Sequence, residues 1–85
     1  MANSHFVYVL YSKTHDRIYI GMTQQLENRF YEHNSFQNKS TKAFSPWVMI
    51  HSEEFGTREA ARQKEIKLKS SSGRRFIRKN YLTSL

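Results

Sequence analysis

The sequence predicts an α+β fold: a small, mainly antiparallel three-stranded sheet flanked by helices. Three observations lead there. Residues 6–11 and 17–21 are runs of β-branched and aromatic side chains separated by the turn-prone residues 12–16, the pattern of a hairpin. Two later stretches, after Thr23 and after Thr57, carry apolar residues at helical rather than alternating spacing. Finally, 85 residues with 38% hydrophobic and 14% aromatic content suffice for one compact core and leave no room for a second module, so a single domain over residues 1–85 is expected.

In the first strand Tyr8 shares a face with Phe6 and Leu10; in the second, Ile18 and Ile20 point to one face and Tyr19 to the other. A register that brings Tyr8 beside Tyr19 would stand two phenols together, but register is not written in either strand alone. Gly21 is expected to end the second strand and let the backbone turn. Thr23 is the expected N-cap of a first helix, where Leu26, Phe30 and His33 recur at i, i+4 and i+7 and Arg29 stands four residues before His33. Residues 34–46 read as a polar loop and residues 47–51 as a third strand. Thr57 caps a second helix running to about Ser70, with Glu59 in its first turn where the macrodipole favours negative charge. Residues 70–73 are expected to break the chain before a short last helix over residues 74–82, anchored by Ile77 and Tyr81.

Charge is the next constraint. Fourteen Lys and Arg against seven Asp and Glu give a net charge of +7, and nine of the basic residues, with two acidic ones, lie from Arg58 onward. Clustered cations of that kind fit a polyanion bound through counterion release; a solvated lysine-rich helix is the plainer alternative. Having no cysteine, the chain has neither disulfides nor a thiolate centre. The apolar run over residues 6–10 is too short for a signal peptide and no segment could span a bilayer, so a cytoplasmic protein is expected. One carboxylate stands out. Glu65 lies between Ala61 and Leu68 on an otherwise apolar helix stripe, where an uncompensated charge is expensive. A divalent metal or a salt bridge, to Arg29 or to a lysine at the helix edge, would each remove that cost.

The order of these parts, Phe6-Val7-Tyr8, then Tyr19-Ile20-Gly21, then Arg29, His33 and Glu65, resembles the GIY-YIG nuclease family and its small single-domain members over nearly the whole chain. The second triplet is intact, while the first keeps only its tyrosine. The resemblance implies a divalent-metal-dependent endonuclease that hydrolyses DNA phosphodiester bonds, with RNA not excluded and with a structure-selective role in repair or recombination as one setting. It implies that Glu65 holds Mg²⁺ or Mn²⁺, that Arg29 clamps the scissile phosphate, and that Tyr8, Tyr19 and His33 manage water and protons. An ordinary phenol, with pKa about 10, would need a nearby metal or arginine to serve as a base. The family's repair excision nucleases carry a lysine where Met22 stands here, so any duty of that lysine is absent or supplied elsewhere. Asn80 lies near a late asparagine kept by some members. Lys39, Lys42, Lys64, Lys67, Arg74 and Arg75 are the candidate phosphate contacts, with Asn80 beside them. The alternatives are a nucleic-acid-binding module of the same shape with little or no turnover, and a protein-interaction domain whose basic charge is incidental.

Overall fold

The computed structural model describes residues 4–35 and 41–82. Strand β1 (His5–Ser12) is central in a three-stranded antiparallel sheet, with β2 (Arg17–Thr23) on one side and β3 (Val48–Phe55) on the other. The helices are α1 (Leu26–Asn34), α2 (Arg58–Lys69) and α3 (Ser71–Asn80), and a short 3₁₀ turn (Lys42–Phe44) precedes β3. This is the expected α+β architecture. No helix among the described residues is long and apolar enough to cross a membrane.

Because β1 is paired on both edges, the alternation of its side chains divides the molecule into two cores. Val7 and Val9 point into one, built with Ile20, Ala61, Leu68 and Ile77, so α2 and α3 cover that face. Tyr8 and Leu10 point into the other, with Trp47 and the flanking Tyr19, Leu26, Phe30, Phe44 and Met49, so α1 and the segment before β3 cover the opposite face. The β1–β3 register shifts between Val9 and Leu10, where Val9 faces His51 and Leu10 faces Met49. Ile50 is the extra residue of a bulge and turns toward the α2 side, with Met49 toward the α1 side.

Three local expectations are corrected. Strand β2 continues past Gly21 to Thr23, and no glycine has positive φ, so Gly21 is not a turn residue. It lies opposite Tyr8 in the ladder, and the Tyr8 ring occupies the space where its side chain would stand. Thr23 does not cap α1: Gln25 holds the cap position without a side-chain bond, and the Thr23 hydroxyl accepts from the Gln25 amide instead. The expected break over residues 70–73 is confined to Ser70, the single non-helical residue between α2 and α3. Ser70 accepts a hydrogen bond from the Gly73 amide as the N-cap of α3, and Gly73 sits inside the first turn against the backbone of Lys67 and Leu68. A side chain at Gly73 would collide with the last turn of α2, so glycine there serves close helix packing, not flexibility.

Candidate active site

The β1–β2 register pairs Leu10 with Tyr19 and Tyr8 with Gly21. Tyr8 and Tyr19 are therefore diagonal neighbours on one face, with ring centroids 6.2 Å apart. Helix α1 brings the His33 ring against both, 5.9 Å from Tyr8 and 4.6 Å from Tyr19. The Tyr8 hydroxyl lies 3.0 Å from His33 Nε2, and His33 is fully buried. Burial holds the Tyr8 phenol well above its ordinary pKa; the adjacent Tyr19 pushes the same way, and the Arg29 charge opposes them. Burial also lowers the pKa of His33, and Arg29 lowers it further. Both groups are therefore uncharged at neutral pH in the free protein.

Arg29 is one turn earlier on α1 but faces outward, about half exposed, with its Nε 3.7 Å from a Glu32 carboxylate oxygen. Such a loose exposed pair leaves the guanidinium free to engage an anion. A cleft of about 290 Å³ opens beside it, lined by Thr23, Gln24, Gln25, Asn28, Arg29 and Glu32. Glu65 approaches from α2. It is only 7% exposed, and both oxygens carry cations: Arg62 Nη1 at 3.0 Å and Lys69 Nζ at 3.3 Å. The carboxylate is thus compensated within its own helix, by Arg62 and Lys69 and not by Arg29. Its charge nonetheless disfavours ionisation of Tyr8, so Arg29 and Glu65 act on the same phenol with opposite signs. The structure thus groups Tyr8, Tyr19 and His33 in direct contact with Arg29 one turn away on α1, whereas Glu65 comes from α2, which packs on the other face of the sheet.

A magnesium-sized cation takes oxygen ligands and keeps several waters, so one carboxylate plus a substrate phosphate is a sufficient donor set. Glu65 fits that demand. It is a hard oxygen donor on a buried face, and its two partners reach it from half-exposed positions, where they can exchange with another cation. No cluster of three His, Asp or Glu that could hold a metal occurs among the described residues.

Thr41 was not singled out by the sequence. It is buried, its Oγ1 lies 2.8 Å from His33 Nδ1, and its carbonyl accepts from Trp47 Nε1 at 3.0 Å. The Asn34 side chain closes the segment that delivers it, accepting from the Trp47 amide at 2.6 Å and donating to the Trp47 carbonyl at 3.0 Å. The available signal was the single tryptophan, whose indole N–H needs a partner once buried.

The expected phosphate contacts divide. Lys39 lies outside the described residues. Lys42 is exposed in the 3₁₀ turn directly after Thr41. Lys64 pairs with Glu53 of β3 at 3.7 Å, whereas Lys67, Arg74 and Arg75 are exposed and meet no acidic partner among the described residues. Asn80 turns back to donate to the Phe76 carbonyl at the end of α3.

Comparison with known proteins places the chain among relatives of one family. The family model of the GIY-YIG catalytic domain matches residues 4–80. A UPF0213 protein of Natronomonas pharaonis is 38% identical over 73 residues, which is 85% of this chain and 85% of that protein. A UPF0213 protein of Haloquadratum walsbyi is 35% identical over 71 residues, covering 82% of this chain and 79% of its own. The solution NMR structure of a UPF0213 protein from Bacillus halodurans superposes with a TM-score of 0.58 at 24% identity, over 95% of this chain and 89% of that one, a likeness of fold.

Proposed function

Since the chain belongs to the GIY-YIG catalytic-domain family, we propose that it is a divalent-metal-dependent endonuclease hydrolysing phosphodiester bonds, with DNA as substrate. The observation that carries the proposal is the environment of the Tyr8 hydroxyl. It is buried and 3.0 Å from the His33 imidazole, on the helix that carries the exposed Arg29 one turn earlier. Two phenols, a neutral imidazole, a free guanidinium and a carboxylate are parts for orienting a water, clamping a phosphate and neutralising charge as a fifth oxygen arrives.

In this reading Arg29 binds the scissile phosphate through its planar fork, holding charge that grows in the transition state. Tyr8 and Tyr19 orient the attacking water. As the water oxygen bonds to phosphorus, its proton passes to the Tyr8 oxygen while Tyr8 hands its own proton to His33 Nε2; the bond to the leaving oxygen breaks at the same phosphorus. The raised pKa of Tyr8 and lowered pKa of His33 keep that transfer from occurring in the resting site. Glu65 would hold Mg²⁺ or Mn²⁺, which supplies Lewis-acid neutralisation of the phosphate and leaving oxygen when bound. Arg62 and Lys69 hold the carboxylate in place until then. Lys42, Lys67, Arg74 and Arg75 supply cations for the duplex backbone.

The double ion pair on Glu65 also favours a second reading, a nucleic-acid-binding module of the same fold in which that carboxylate is permanently occupied. Single-turnover cleavage of linear, flap and junction DNAs with Mg²⁺ or Mn²⁺ separates the two. Wild-type protein should cut at least one substrate, and Glu65→Gln should abolish cutting while DNA affinity stays the same. Its stability should change by no more than about 1 kcal/mol, because both cation partners are largely solvated. DNA binding with no cleavage of any substrate by wild type would establish the binding module instead.

A further inference from the structure

We propose that Thr41 is a positioning residue for the catalytic pair: its hydroxyl accepts the Nδ1 proton of His33 and so fixes the tautomer whose bare Nε2 accepts from the Tyr8 phenol. The catalytic half of this inference rests on the nuclease reading above; the tautomer does not.

The argument starts from the hydrogen count. Tyr8 has one hydroxyl proton, and burial keeps it on the oxygen. That proton needs an acceptor, and the bare nitrogen of a neutral imidazole is a stronger one than a second phenol. His33 Nε2 is at 3.0 Å, so Nε2 accepts and the imidazole proton must reside on Nδ1. The atom facing Nδ1 is Thr41 Oγ1 at 2.8 Å, a hydroxyl oxygen able to accept. His33 and Thr41 are essentially sealed from solvent, so bulk water does not compete for the Nδ1 bond. The second ring nitrogen is thereby set by the partner of the first, as in other sites where a histidine must present one defined face.

Two further bonds hold Thr41 in place. Its carbonyl receives both the Trp47 indole N–H, at 3.0 Å, and the Phe44 amide, at 3.1 Å. Trp47 is in turn fixed to the end of α1 by the two Asn34 bonds, on the residue next to His33. The returning segment and the histidine are thus locked to the same turn of helix, and the hydroxyl cannot drift from Nδ1 without breaking the Trp47 anchor. The groups facing His33 are Tyr8 from β1, Tyr19 from β2, Arg29 and Glu32 from α1, and Thr41; of these only Thr41 meets Nδ1.

The test is long-range ¹H–¹⁵N correlation NMR of the histidine rings in the full-length ¹⁵N-labelled protein at neutral pH, with wild type, Thr41→Val and Thr41→Ser. His33→Gln identifies the His33 signals by their loss. Wild type and Thr41→Ser should show a protonated Nδ1 and an unprotonated Nε2. Thr41→Val should lose that pattern, with a mixed or reversed tautomer. Protonated Nε2 in wild type overturns the inference, and so does an unchanged pattern in Thr41→Val. Should Thr41→Val fail to fold, the tautomer in wild type and its retention in Thr41→Ser decide. Where wild type cleaves DNA, Thr41→Val should slow the single-turnover rate on the order of tenfold, as loss of an orienting partner does, with its pH profile shifted and Thr41→Ser restoring both. A changed tautomer with unchanged rate and profile would overturn the catalytic half. If wild type cleaves nothing, the nuclease reading fails while the NMR result still judges Thr41.

Discussion

Replacing Gly21 with alanine tests whether the second triplet's glycine exists to receive the Tyr8 ring. A Cβ built at Gly21 would stand 2.5 Å from Tyr8 Cζ and 2.9 Å from Cε1, and closer still to the hydroxyl. Those separations are well inside carbon contact distance, so one residue must move. The backbone of β2 is paired to β1, and the ring is buried with its hydroxyl beside His33, so neither yields freely. Overpacking of this kind costs about 1 to 3 kcal/mol. For a domain of this size the melting temperature should fall by roughly 4 to 24 °C. Gly21 does not have positive φ, so alanine introduces no backbone strain of its own.

That last point makes a double-mutant cycle decisive. Tyr8→Leu removes Cζ and the hydroxyl, the atoms alanine would strike, and leaves room for a methyl group. In that background Gly21→Ala should be neutral or stabilise by up to about 1 kcal/mol, through reduced freedom of the unfolded chain. Urea unfolding followed by circular dichroism, on all four proteins, should give a coupling energy of about 1 to 3 kcal/mol between the two positions. Equal destabilisation by Gly21→Ala with tyrosine or leucine at position 8 would refute the reasoning and return Gly21 to a purely backbone role. In the tyrosine background the displaced ring should also lose His33, so single-turnover cleavage should fall with stability.

Arg29→Lys should lower turnover about 10²- to 10³-fold, because a point charge lacks the planar fork aimed at developing charge; wild-type turnover would mean that general positive charge suffices. His33 makes stability depend on pH: its native pKa is depressed by burial and by Arg29, so the unfolded chain binds its proton first as pH falls. The contribution is complete above the unfolded value of about 6.5 and is lost as pH drops from there toward the native value, and a His33→Gln variant should flatten the urea midpoint between about pH 5.5 and 7. An equal slope in that variant would refute the assignment of this pH dependence to His33. Arg74→Ala with Arg75→Ala should weaken DNA binding and reduce the log-log salt slope by about 1.8 on B-form duplex, without changing cleavage at saturating protein; an unchanged slope would make that face merely solvated.

The sheet, the helices and their apolar faces were legible because each follows from a short-range period. The site was legible differently. Tyr8, Tyr19, Arg29, His33 and Glu65 came from motif order, and the meeting of Tyr8 with Tyr19 depended on a register that no strand specifies alone. The roles of both special glycines were misread for one reason: what excludes a side chain at Gly21 is a ring thirteen residues away, and at Gly73 the backbone of the preceding helix. Glycine's signature in a sequence is the same whether it supplies a turn or makes space. Thr41 left no periodic trace, since a threonine in a polar loop has no period; the one hint was the Trp47 indole that needs a partner, and the Asn34–Trp47 pair folds the loop back to supply it.

The two faces of β1 separate stability from chemistry, and the separation depends on register. On one side Val7 and Val9 are wholly apolar and anchor α2 and α3; on the other Tyr8 carries a hydroxyl that must be bonded because it is buried. A slip of one residue would put that hydroxyl among Ala61, Leu68 and Ile77, where none of those side chains has a polar atom to offer, and would expel two valines from the core. His33 and Thr41 therefore contribute to folding as well as to the site: His33 gives the buried Tyr8 phenol its partner on that face, and Thr41 backs the same ring. The bond at His33 Nε2 selects the register, and the selected register is the one that sets Tyr8 over Gly21 and beside Tyr19. The buried polar pair is thus a specificity device for the central strand that presents its phenol, while Arg29, one turn earlier than His33 on α1, stands exposed.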